Sequence, residues 1–141
     1  MRHFEQVHAV YFDDLDAFQI LHNARYLLMF ERTIGAFWHR LGWGGTLDAQ
    51  KNPDQFHVVR ANNIEYLRAF RGTGEVRVRV TVERLGTSSL TFGVKILPMD
   101  EDLPHASGSR TIVRVSPDVF RPLPWTAPFR QTLEPWLRRD A

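Results

Sequence analysis

The sequence predicts an α+β domain in which one long helix packs on an antiparallel sheet. Two observations predict it: apolar residues recur every 3.6 positions from about residue 23 to residue 41, and every second position from residue 55 onward. The chain has 141 residues, of which 43% are hydrophobic, enough for one core. We therefore expect a single domain over residues 1–141, with a short tail or helix from about residue 125.

The first elements in order are a strand, an acidic turn and the long helix. Residues 4–12 mix β-branched and aromatic side chains, which favours a strand. The turn that follows carries Asp13, Asp14 and Asp16. The helix is expected from Asn23 to Leu41, where a Gly-Trp-Gly-Gly segment ends it. Its apolar stripe, which we interpret as core, consists of Tyr26, Leu27, Phe30, Ile34, Phe37, Trp38 and Leu41.

Four more strands are expected after the helix. Residues 75–83, EVRVRVTVE, alternate valine with polar side chains, and residues 90–96 repeat this pattern after a Gly-Thr-Ser-Ser turn. Residues 75–97 are therefore predicted to form a hairpin, and residues 56–70 and 107–116 supply two further strands. One helix covers one face of a sheet and leaves its edges open, so we expect the chain to dimerise through the sheet.

Composition excludes several classes of protein. Without cysteine there is no disulfide, thiolate metal site or cysteine nucleophile. The formal charge is only +2 and the arginines are dispersed, so we expect no nucleic-acid partner. No run of about 18 apolar residues is present to span a membrane, and the N-terminus lacks the apolar region of a signal peptide, so the cytoplasm is the expected location.

The acidic turn before the helix is a candidate catalytic site. Helix N-termini expose unpaired N–H groups and a partial positive charge that can hold an oxyanion, and a nearby carboxylate can attack or activate water. Aspartate and asparagine are also common in turns and caps without any catalytic duty, and the local pattern leaves both interpretations open.

Several motifs together resemble the hot-dog thioesterases of the 4-hydroxybenzoyl-CoA thioesterase and YbgC-like family. They are Asp14-Leu15-Asp16-Ala17, the downstream Asn23 and Tyr26, the segment RANNIEYLRAF and the GTSSL hairpin. The resemblance covers roughly residues 5–120 and implies a hot-dog fold, one long helix wrapped by a five-stranded antiparallel sheet. It also implies a homodimer or homotetramer that hydrolyses a fatty or aromatic acyl thioester of coenzyme A or an acyl-carrier protein, with no metal or cofactor.

The same resemblance assigns the catalytic roles. Asp16 would be the catalytic carboxylate, acting as nucleophile or general base, and Asp14 would orient the loop. The backbone N–H of Asn23 would stabilise the oxyanion, and Tyr26 would shape the acyl tunnel. The chain departs from the family pattern at Gln19, where relatives carry glycine.

Two further side chains are catalytic candidates. His22 would hold water or protonate the leaving thiolate, and the alternative is a hydrogen-bonded turn histidine. Glu31 is a reserve candidate for the catalytic acid, because a related hot-dog subgroup keeps its acid at this helical spacing. The alternative interpretation is that Glu31 forms an ion pair with an arginine of the sheet or of a partner.

Two groups of polar residues are candidates for binding the substrate. The first lies on the second strand and would bind pantetheine, or else occupies a bulge or the dimer interface. The second lies in the predicted hairpin turn and would bind pantetheine or the nucleotide phosphates, or else simply forms the turn. The residues are Arg60, Asn62 and Asn63 in the first group and Thr87, Ser88 and Ser89 in the second.

Other functions remain alternatives at this point. A hot-dog hydratase or dehydratase pairs an aspartate with a histidine five residues away, whereas Asp16 and His22 are six apart here. A non-catalytic domain that binds acyl-CoA or acyl-carrier protein would need no catalytic carboxylate. Loss of hydrolysis on mutation of Asp16, with binding retained, would separate an enzyme from such a domain.

Overall fold

The computed structural model describes residues 2–139, so residues 1, 140 and 141 of the predicted domain lie outside it. It contains a five-stranded antiparallel sheet and an 18-residue helix, as the sequence predicts. The elements are β1 (Phe4–Val10), α1 (Asn23–Arg40), β2 (His57–Tyr66), β3 (Gly74–Leu85), β4 (Ser89–Leu97), β5 (Ala106–Arg114) and α2 (Ala127–Leu133). Within the described residues, no helix is both long enough and apolar enough to cross a membrane.

The strand order across the sheet is β1-β3-β4-β5-β2. The predicted hairpin over residues 75–97 is β3 and β4, which pair Val80 with Val94. Strand β2 is the outermost strand on one side and pairs with β5, with a β-bulge between Val59 and Ala61. The second predicted strand, 56–70, is shorter in the structure because the N–H groups of Leu67 and Arg68 leave the ladder and donate to the carbonyl of His105.

The core lies between α1 and the sheet. Alternation along β3 places its valines on the face toward α1, where they are fully buried together with Phe92 of β4. From α1, Phe30 and Phe37 reach the same core. Leu27, Trp38 and Leu41 of the predicted stripe are only partly buried and pack against the edge of the core.

The two ends of α1 lie against opposite ends of β2 and have different surroundings. Helix α1 begins beside the last residue of β2, since the hydroxyl of Tyr66 donates to the carbonyl of Asn23. It finishes about 27 Å away, at ~1.5 Å per residue over its 18 residues. There Trp38 packs against His57, the first residue of β2. The candidate site described next lies at the beginning of α1.

Candidate active site

A pocket of about 420 Å³ lies at the beginning of α1. The acidic turn contributes one wall, the first turn of α1 another, and the segment after β2 a third. Four of the residues singled out in the sequence line it together: Asp16, His22, Asn23 and Tyr26. The remaining lining residues are Ala17, Phe18, Ile20, Tyr66, Leu67, Arg68 and Ala69.

Asp16 is held by a tight loop that uses only one of its carboxylate oxygens. Its Oδ1 accepts hydrogen bonds from the N–H groups of Phe18 at 2.8 Å and Ile20 at 3.4 Å. The Asp16 N–H in turn donates to the carbonyl of Ile20 at 2.9 Å, which closes the loop. Among residues 2–139 no group donates to Oδ2. The second oxygen is therefore available for chemistry in the pocket.

Gln19 adopts the backbone conformation that glycine favours. Its φ is +61°, in the left-handed region. The hot-dog thioesterases that the sequence resembles carry glycine at this position. The conformation costs a non-glycine residue about 1 kcal/mol. Pairing with the segment after β2 keeps it in place, since the Gly72 N–H donates to the Gln19 carbonyl and the Leu21 N–H to that of Phe70, both at 2.9 Å. The departure at Gln19 thus leaves this loop conformation accessible.

The first turn of α1 presents a free N–H group. His22 is the N-cap of the helix, and its Nδ1 accepts the N–H of Ala24 at 3.1 Å, so Nδ1 carries no proton in this arrangement. The N–H of Arg25 donates to the carbonyl of His22. The Asn23 N–H has no acceptor among the residues that the structure describes. This donor at the positive end of the helix is suited to an oxyanion.

Two tyrosines form an aromatic wall of the pocket. The rings of Tyr26 and Tyr66 meet edge to face, with 5.1 Å between their centroids. Burial, and to a lesser extent the neighbouring Tyr66, raises the pKa of the Tyr26 phenol, which therefore stays protonated at neutral pH. Sequence reasoning missed Tyr66, Leu67 and Arg68. Their only sequence signal is that they belong to RANNIEYLRAF, the segment that carries part of the resemblance.

Asp14 stabilises the turn and does not line this pocket. Its Oδ2 accepts the N–H of Tyr11 at 2.8 Å, and its Oδ1 lies 3.7 Å from Nε of Arg25. The carbonyl of Asp14 accepts the N–H of His22 at 2.9 Å. These contacts connect the acidic turn to the start of α1.

Glu31 lies outside the pocket, on the exposed side of α1. Its side chain is 68% exposed, and Oε1 lies 3.6 Å from Nη1 of Arg110. The Arg110 side chain is buried, and its Nε donates to Oδ1 of Asn62 at 2.8 Å. Glu31 and Asn62 thus share one buried guanidinium, which sequence reasoning did not single out. The arrangement fits the ion-pair interpretation of Glu31.

The other predicted binding residues lie away from the pocket within one chain. Arg60 occupies the bulge of β2, and Asn63 points to the opposite face of the sheet from Asn62. Thr87 and Ser88 form the β3–β4 turn and Ser89 begins β4; this segment packs against Trp125, whose N–H and indole donate to the carbonyls of Thr87 and Ser89. Ser89 pairs with Val113, whereas Tyr66 pairs with Ala106. Val113 and Ala106 are seven residues apart on β5, which separates Ser89 from Tyr66 by about 24 Å along the strand.

The polar groups of the pocket are of the kinds needed for acyl transfer. A carboxylate oxygen and a helix N–H without partners among residues 2–139 belong to residues that line one pocket with aromatic walls. A carboxylate and an N–H donor are the groups needed to attack a carbonyl and stabilise the resulting oxyanion. Within residues 2–139 no three histidine, aspartate or glutamate side chains are grouped closely enough to hold a metal ion.

Comparison with known proteins gives a family match. The family described as the thioesterase superfamily matches residues 18–104. No curated protein matches the sequence.

Solved structures show the same fold at low sequence identity. A Pseudomonas aeruginosa protein is 19% identical, with a TM-score of 0.80 over 97% of this chain and 93% of that one. A 1,4-dihydroxy-2-naphthoyl-CoA thioesterase from Synechocystis is 12% identical, with a TM-score of 0.79 over 94% and 96%. The YbaW probable thioesterase of Escherichia coli is 23% identical, with a TM-score of 0.75 over 96% and 99%.

Proposed function

The chain belongs to the thioesterase superfamily, and we propose that it hydrolyses a fatty or aromatic acyl-CoA thioester at the pocket beside the start of α1. One observation carries the proposal. The free Oδ2 side of the Asp16 carboxylate and the free N–H of Asn23 belong to residues that line the same pocket. We propose one hot-dog domain over residues 1–141, in which the sheet wraps α1.

The reaction follows from these two groups. In the general-base route, Asp16 takes a proton from water as the water oxygen bonds to the thioester carbon. The carbonyl electrons move to oxygen, and the Asn23 N–H stabilises the oxyanion by about 3 kcal/mol. The oxyanion then collapses, the C–S bond breaks, and the thiolate leaves and is protonated.

In the nucleophilic route, Asp16 attacks the thioester carbon itself and the thiolate leaves from a mixed anhydride, which water then hydrolyses. A single turnover in ¹⁸O-labelled water can demonstrate the nucleophilic route, because only that route can place the label in Asp16. If water opens the anhydride at the Asp16 carbonyl, the label enters Asp16; the general-base route leaves Asp16 unlabelled.

The walls of the pocket suit an apolar acyl group. Phe18, Ile20, Tyr26, Tyr66 and Leu67 present aromatic and aliphatic surface, and Phe18 is 83% exposed. We propose that the acyl group packs against these side chains while the carbonyl faces Asn23. The Synechocystis neighbour is named for a naphthoyl thioester, so a naphthoyl-CoA belongs in the substrate panel beside benzoyl-CoA and long-chain acyl-CoA.

The experiment that tests the proposal is a thiol-release assay. Wild-type protein is incubated with the acyl-CoA panel and with acyl-carrier-protein thioesters, and Asp16→Asn is assayed in parallel. Hydrolysis that depends on Asp16 supports the proposal. If the thioesters bind equally well to both proteins and neither hydrolyses them, the chain is instead a binding domain.

We also propose that two copies pair through β2. This ten-residue strand pairs with β5 on one side, and no described residue pairs with its other edge. Val58 and Val59 on it are 37% and 47% exposed, which leaves an apolar edge open.

Antiparallel pairing of two β2 strands would set the first residue of one near the last residue of the other. The β3–β4 turn of one copy would then lie nearer the pocket of the second copy. The proposed contacts of Thr87, Ser88 and Ser89 with pantetheine or the nucleotide would be made in that arrangement, and each site would contain residues of both chains. Sedimentation at the assay concentration tests the pairing, and a stable, active monomer would contradict it.

A further inference from the structure

A second pocket lies at the other end of α1. Its volume is about 180 Å³, and Trp38, Trp43, Leu47, His57 and Phe129 line it. It adjoins a wider concavity that shares Trp43 and Phe129 with it. The length of α1 separates it from the Asp16 pocket, so it has no part in the proposed hydrolysis within one chain. We call it the tryptophan pocket.

The walls of the tryptophan pocket are flat aromatic rings. Trp43 stacks on Phe129 at 4.9 Å with an interplanar angle of 13°, and Phe129 stacks on Trp125 at 4.3 Å. Trp38 is tilted against both Trp43, at 5.6 Å, and His57, at 5.8 Å. Walls of this kind attract a planar ring through dispersion and through contacts between ring edges and faces.

His57 adds one hydrogen-bond acceptor to these walls. Its Nδ1 lies 2.9 Å from the backbone carbonyl of Asp54, and because a carbonyl only accepts, Nδ1 must carry the proton. Nε2 is then an acceptor, and no described residue donates to it. Nε2 is not fully buried, and it belongs to a residue that lines the pocket. Burial lowers the pKa of His57, against a smaller opposing effect of Asp54, which keeps the ring neutral.

The carboxylate that also lines this pocket is already paired. Asp54 is buried, and its two oxygens accept the N–H of Thr126 at 2.9 Å and the hydroxyl of Thr126 at 2.6 Å. Arg114 lies 3.9 Å away. A cation would therefore meet a carboxylate whose charge is largely compensated. The open polar group of His57 instead suits a neutral donor.

We propose that the tryptophan pocket binds a small planar aromatic molecule that carries one hydroxyl group. The hydroxyl donates to Nε2 of His57, and the ring packs against Trp38 and Trp43. Water occupies about 30 Å³ per molecule in the liquid. The pocket, at about 180 Å³, thus has room for a single ring. This inference does not depend on the proposed hydrolysis.

Titration with phenol tests the proposal. Anisole has the same ring without a donor, and cyclohexanol has the donor without a flat ring. Phenol is expected to bind with a Kd in the low millimolar range, about what seven non-hydrogen atoms can supply. Anisole is expected to bind about five-fold to ten-fold more weakly, because it leaves Nε2 unpaired. The indole N–H signals of Trp38 and Trp43 in NMR spectra locate the site.

Two variants separate the hydrogen bond from the aromatic walls. His57→Phe retains a ring but removes the acceptor, so phenol should lose its advantage over anisole. Trp43→Leu should weaken the binding of both compounds. Glu31→Gln, on the exposed side of α1, is the matched control and should bind phenol as the wild type does.

The wild-type protein alone can overturn the proposal, whatever the stability of the variants. Phenol and anisole that bind equally, phenol that does not saturate, or shifts at Tyr26 and Tyr66 in place of the two tryptophans would each contradict it. A phenol preference that His57→Phe retains in folded protein would also contradict it.

Discussion

Replacement of Asp16 by asparagine is the most direct test of the candidate site. The asparagine oxygen can still accept the N–H groups of Phe18 and Ile20, so the loop should keep its conformation. The substitution removes the negative charge and places an NH₂ group where the free Oδ2 stood. The variant can then neither deprotonate water nor attack a carbonyl.

The expected magnitude follows from what is removed. A positioned general base contributes about 10²-fold to 10⁴-fold, so kcat should fall by at least about 100-fold. The hydrogen bond from Phe18 changes from a charge-assisted bond to a neutral one, which costs about 1 kcal/mol of stability. For a chain of this size that lowers Tm by about 2–4 °C. The variant should therefore remain folded under assay conditions.

The assay is thiol release at saturating acyl-CoA, with circular dichroism to verify folding. Asp14→Asn removes a carboxylate from the same turn without changing the pocket lining, and should cost activity less than Asp16→Asn does. Glu31→Gln should leave kcat unchanged, because Glu31 lies outside the pocket. Folded Asp16→Asn protein with turnover within about ten-fold of wild type would refute the reasoning. Loss of turnover in Glu31→Gln would move the catalytic role to the helix.

Three further predictions concern the loop, the helix cap and pH. Gln19→Gly relieves about 1 kcal/mol of left-handed strain but gives the unfolded chain more freedom, so urea denaturation should show a free energy of unfolding within about 1 kcal/mol of wild type. A decrease in the free energy of unfolding of more than about 1 kcal/mol would contradict this explanation of Gln19. His22→Ala should lose about 1 kcal/mol of stability with the cap, while His22→Asn, which can also cap α1, should not. If His22 moves a proton, both variants should also lower kcat by about 10-fold to 100-fold and flatten the pH–rate profile. Normal kinetics in His22→Asn would instead show that His22 only caps the helix. Burial lowers the pKa of His8 and His57 in the folded state, and the Arg32 charge adds to the effect at His8. The unfolded state then binds protons more readily, so the free energy of unfolding should fall as the pH drops below about 6.5. A urea midpoint that is the same on both sides of that pH would contradict this.

The sequence by itself predicted the elements whose pattern is local. Alternating valines in residues 75–83 specify β3, because successive side chains of a strand point to opposite faces. The stripe from Tyr26 to Phe37 specifies α1, because its residues recur once per helical turn. The motif residues Asp16, His22, Asn23 and Tyr26 lie close together in the chain. Their assembly at one helix end was therefore within reach of sequence reasoning.

Only the tertiary structure determined the contacts between distant segments. Tyr66 and Arg68 reach the pocket because β2 pairs with β5 at the edge of the sheet, which no local pattern specifies. Glu31 lies at the border of the apolar stripe by helical angle, but its partner Arg110 comes from β5. Trp38 belongs to a stripe that predicts core. It packs against the edge of the core and also lines a pocket, because Trp43, His57 and Phe129 converge on that end of α1 from three other segments and leave a space between their rings.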